Sequence, residues 1–77
     1  MLDIKQVKRL KERSEDFVKS TLSHLSQKAD KDINKNLDNI ALGIEGLNRV
    51  IDLLQIIKKY LNNPEPYLEA EIEEYLL

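Results

Sequence analysis

The densest run of metal-capable side chains in this sequence is Asp30, Asp32, Asn34, Asn36 and Asp38. They alternate as the oxygen ligands of a calcium-binding EF-hand loop do, with Leu37 at that loop's usual apolar position. Such a loop also needs a glycine for its sharp turn and a bidentate glutamate to close the coordination shell. Lys35 stands where the glycine should be and Ala41 where the glutamate should be. Ile33, Leu37 and Ile40 in the same stretch fall on a helical period, so the run reads as a helix cap at Asp30 followed by a solvated helical face. No metal and no cofactor is expected.

Other catalytic chemistry fares no better. His24 is the single histidine, there is no cysteine, and nothing at metal-ligand spacing accompanies the imidazole. Ser14, Ser20, Ser23 and Ser26 lack the glycines of a nucleophile elbow, and no glycine-rich phosphate loop is present. The carboxylates near the C-terminus belong to an exposed helix face. The expectation is a protein that is not an enzyme.

Two groupings suit binding rather than catalysis. Lys5, Lys8, Arg9 and Arg13 can present cations on one helical face, as phosphate binding requires. Against this stand Glu12, Glu15 and Asp16 in the same segment, a pI near 5.3 and no nearby stacking aromatic, so nucleic-acid association is the alternative reading and not the favoured one. At the other end Tyr67, Leu68, Ile72, Tyr75, Leu76 and Leu77 can form the apolar side of an acidic amphipathic helix that docks in a partner's groove.

The elements that position these residues are helical. Charged residues make up 34% of the 77 and apolar ones 42%, with only two glycines and two prolines, a balance suited to one helical domain spanning 1–77. The first helix, over about residues 3–27, opens with Asp3 as cap, Gln6 completing a capping box, and Leu2 with Val7 as a hydrophobic staple. Its apolar stripe is Val7, Leu10, Phe17, Val18, Leu22 and Leu25, with Ser14 and Thr21 in the gaps.

A longer helix over about 31–61 carries a heptad seam of Ile33, Leu37, Ile40, Ile44, Leu47, Ile51, Leu54 and Leu61. A second apolar set, Ala41, Val50, Leu53, Ile56 and Ile57, widens its arc, so this helix needs more than one neighbour. Asn62, Asn63 and Pro64 end it, and a short helix over about 64–76 begins with Asn63 as cap and Pro64 at its first position.

Short connections make the fold class all-α: an antiparallel helical hairpin plus a short C-terminal helix. The charge is unevenly spread, with seven basic and four acidic residues up to Lys28 but no basic and five acidic residues from Asn62 onward. Basic head and acidic tail are expected to lie together and offset each other. One extra short helix cannot cover both apolar sets of the long helix, so the chain is expected to homodimerise as a four-helix-type bundle. Ile40, Gly43, Ile44, Gly46, Leu47, Val50, Ile51 and Leu54 would form that contact, with the glycines at a close crossing rather than a kink.

The functional expectation is a non-enzymatic interaction module, a small accessory subunit or regulator with a larger protein partner. The charged N-terminal stretch and the lack of a span of about 20 apolar residues make a cytoplasmic protein without membrane contact the default.

Overall fold

The computed structural model describes residues 2–76, so the expectation for Leu77 lies outside the described residues. Within that range the chain is all-helical and contains no strand. Helix α1 spans Ile4–Asn62 and helix α2 spans Pro66–Leu76.

Helix α1 is two segments meeting at one residue. Asp32 has φ −161° and ψ 94°, extended backbone between helical neighbours on both sides. A straight helix of 59 residues would run to about 88 Å, whereas the longest dimension of the molecule is 45 Å. The expected polar connection over SQKADKD is therefore a single residue, and the cap is Asp32 rather than Asp30.

The side chains explain the position. Asp32 Oδ1 accepts the Lys35 N–H at 3.2 Å, the bond that satisfies an otherwise orphaned donor in the first turn of a helix. The Asn36 side-chain amide donates to the Asp32 carbonyl at 3.0 Å and to the Lys28 carbonyl at 3.2 Å. The last carbonyls of the first segment are thus tied to the first turn of the second, and helical geometry continues past Gln27 up to the corner.

At the start of α1, Asp3 is the cap and its side chain accepts the Lys5 N–H at 3.1 Å, as the sequence leads one to expect. The two segments touch near the corner, where Leu25 lies against Gly43, and at the far end, where Val7 joins Leu53, Ile57 and Tyr60. Helix α2 adds Leu68 and Ile72 to that cluster, with Leu2, Leu10, Ile56 and Leu61 packed around it. Val7, Ile57 and Ile72 are the most completely buried side chains. Ser14 is buried as well, a small residue in the stripe of the first segment.

The turn into α2 also differs from expectation. Asn63 closes α1 by donating its N–H to the Lys59 carbonyl at 2.9 Å, and its side-chain amide holds Glu65 Oε1 at 2.8 Å. Glu65 then accepts from the Leu68 and Glu69 N–H groups, so Pro66 and not Pro64 takes the first helical position. A proline there forfeits no helical hydrogen bond and fixes the backbone for the turn that follows.

The core therefore occupies one end of the molecule. Around the corner Leu22, Ile33, Leu37 and Leu42 are all exposed.

Candidate interaction surface

The two apolar sets of the second segment have different fates. Leu53, Ile57 and Tyr60 are buried beneath α2 and the start of α1. Next to them, Phe17, Gly46, Arg49 and Tyr75 border an open depression of about 720 Å³ where α2 ends. Ile44 precedes Leu53 by nine positions, which at about 100° per residue places it about 180° round the helix, on the side away from α2.

That far side carries a regular stripe. Leu37, Ile44 and Ile51 recur every seven residues and are 56%, 47% and 39% exposed, with Ile33 beside them. A seven-residue repeat drifts by only about 20° per step on a straight helix, so the three form nearly one line. Ile40 lies half-buried next to the line and Leu47 is buried at its inner edge. The first segment adds Leu22, also exposed. Leu22 is five positions from Phe17, about 140° round the helix, and so lies away from the depression that Phe17 borders.

The residues expected to mediate self-association separate accordingly. Ile44 and Ile51 stand on the open stripe, while Ile40, Val50 and Leu54 are half-buried and Leu47 is buried within the chain. The two glycines, expected together where two chains approach, have different surroundings within the chain. A Cβ on Gly43 would come within 2.7 Å of Leu25 Cδ2, whereas a Cβ on Gly46 would meet nothing within 4 Å. Leu22, Ile33 and Leu37 belong to the open face although they were not in the expected contact set. The seven-residue interval that links Leu37 to Ile44 and Ile51 is the signal that could have included Leu37.

The expected docking helix separates too. Leu68 and Ile72 lie in the core and are not available to a groove elsewhere, while Tyr67, Tyr75 and Leu76 remain exposed. They had been expected on a free face because the pattern of α2 shows that it has an apolar side, not whose side that is.

Lys5, Lys8, Arg9 and Arg13 are all exposed. Glu12 and Asp16 fall within the same arc of the helix, so the face is mixed in sign rather than a cationic stripe. Lys11 pairs with Glu15 at 3.5 Å, an exposed contact of little energetic weight. The acidic tail does reach the basic head, through backbone: the Leu2 N–H donates to Glu69 Oε1 at 2.7 Å, just ahead of the positive end of α1.

Of the residues that resembled a calcium loop, Asp32 and Asn36 are taken up by the corner. Asp30, Asn34 and Asp38 are exposed on helical backbone. Among the described residues no group of three histidine, cysteine or acidic side chains is placed to hold a metal ion. Among the same residues no helix is long and apolar enough to cross a membrane. Comparison with protein-family models, curated proteins and solved structures gives no match.

Proposed function

We propose that this chain is a non-enzymatic helical interaction module that works as a dimer, a small accessory subunit or regulator of a larger assembly. In this reading the two segments of α1 are the arms of an antiparallel hairpin. Leu25 meeting Gly43 near the corner, Val7 meeting Ile57 at the far end, and the 45 Å length support that arrangement. The same register puts Leu22 level with Ile44 on the side opposite α2. Two hairpins facing each other across Leu22, Leu37, Ile44 and Ile51 make a four-helix bundle.

The observation that carries the proposal is the exposed seven-residue stripe of Leu37, Ile44 and Ile51. Helices that repeat an apolar position at that interval pack side by side at a shallow angle, each side chain fitting between those of its neighbour. An uncovered face of this kind favours association because burying it removes apolar surface from water.

The test uses Ile44→Glu combined with Ile51→Glu. Both positions are exposed, so the variant keeps its helix content by circular dichroism while light scattering shows the mass falling from that of two chains to that of one. A variant that remains as large as the wild type would remove this face from the interface.

A further inference from the structure

The start of α1 and the later part of α2 enclose a cleft of about 320 Å³ whose construction differs from that of the open stripe. Its reachable apolar lining is Leu2, Leu10 and Leu76, with the fully buried Val7 and Ile72 closing it off behind them. One wall carries Arg9 and Arg13, four residues apart and so on the same helical face. Neither guanidinium has a hydrogen-bond or ion-pair partner among the described residues. Glu12 and Glu15 next to the wall, and Glu71 and Glu73 on either side of Ile72, are the carboxylates nearest in sequence; none is paired with either arginine, Glu15 pairing with Lys11 instead. A concave apolar surface with a few convergent polar groups at one edge is the usual construction of a small-molecule site.

We propose that this cleft binds an amphipathic carboxylate: an aliphatic chain lies against Leu2, Leu10 and Leu76, and its carboxylate accepts N–H bonds from Arg9 and Arg13. Guanidinium offers a rigid fork of donors that matches the two oxygens of a carboxylate. The volume sets the size of the ligand, because at roughly 30 Å³ per water-sized atom the cleft holds on the order of ten heavy atoms. Octanoate has that size. Nucleic acid fits the same cations less well, since no aromatic side chain lines the cleft to stack on a base. This site is separate from the open stripe, and occupation does not depend on self-association.

The experiment is a titration of the full chain with octanoate, followed by amide chemical shifts in NMR, with 1-octanol as an uncharged control of equal carbon number. Saturable one-site shifts centred on Leu2, Leu10 and Leu76 are expected. Arg9→Gln with Arg13→Gln, at exposed positions, should weaken binding by about tenfold or more and leave the helical spectrum unchanged. Octanol should bind octanoate's site more weakly by a similar factor. The proposal is overturned by non-saturable shifts, by equal affinity of the double variant, or by octanol matching octanoate. It is also overturned if a synthetic Pro66–Leu76 peptide moves these amides and octanoate does not, which would make the cleft a dock for an acidic helix. The diffusion coefficient measured on each sample reports self-association separately, so failure here and failure of the dimer remain distinguishable.

Discussion

The two glycines of the second segment share a helix and differ in surroundings, which makes Gly43→Ala and Gly46→Ala a matched pair. In the interior of a helix, alanine is favoured over glycine by about 0.8 to 1.0 kcal/mol, chiefly because glycine loses more backbone freedom on folding. At Gly46 the new methyl meets nothing within 4 Å, so the whole gain should appear. For a chain of this size that corresponds to a rise in Tm of about 4 to 8 °C. At Gly43 the methyl would stand 2.7 Å from Leu25 Cδ2, 3.1 Å from Cδ1 and 3.3 Å from Cγ, so Leu25 must move. Leu25 is half-buried at the contact between the segments, and shifting it gives up packing and favours a less common rotamer at about 0.5 to 1.5 kcal/mol. The gain at Gly43 is therefore cancelled or reversed. Urea denaturation of both variants at one fixed protein concentration reads the difference, since association makes stability depend on concentration. Equal stabilisation by the two alanines would refute the close approach of Leu25 to Gly43, and with it the packing of the two segments near the corner.

Two further substitutions probe the core and the corner. Ile72→Ala removes a fully buried side chain where α2 meets α1 and should cost about 2 to 5 kcal/mol in urea denaturation, close to the entire stability of a core this small. A cost below about 1 kcal/mol would mean that α2 is not part of the core. Asp32→Ala deletes the side-chain bond to the Lys35 N–H and should lower stability by about 1 kcal/mol in the same assay, with Asp30→Ala close to neutral. The reverse order would return the corner to Asp30.

The all-helical class was legible because the apolar residues keep a helical period on both sides of residue 30, and because Asp3 and the Asn63–Pro64 pair punctuate the ends. The corner was misplaced by two residues. A run with three aspartates and two asparagines offers several equivalent caps, and the choice of Asp32 depends on Asn36 reaching the carbonyls of the preceding segment, a contact between two helices. The first position of α2 was missed for a related reason: Pro64 and Pro66 both suit it, and the amide of Asn63 on Glu65 decides between them. The site was the least legible part. Periodicity told that the long helix has two apolar sets but not that α2 covers Leu53 and Ile57 and leaves Leu37, Ile44 and Ile51 open. Nor could it bring Arg9 and Arg13, read as part of a cationic face, to the edge of an apolar cleft whose far side is supplied by Ile72 and Leu76.

If, as proposed, another copy of the chain covers the open face of the second segment, the protein in solution has the mass of two chains. Sedimentation equilibrium of the wild-type protein over a range of micromolar concentrations measures that mass. A dimer gives a mass of twice the 9.0 kDa of one chain, and a well-folded species of 9.0 kDa at every concentration would rule it out.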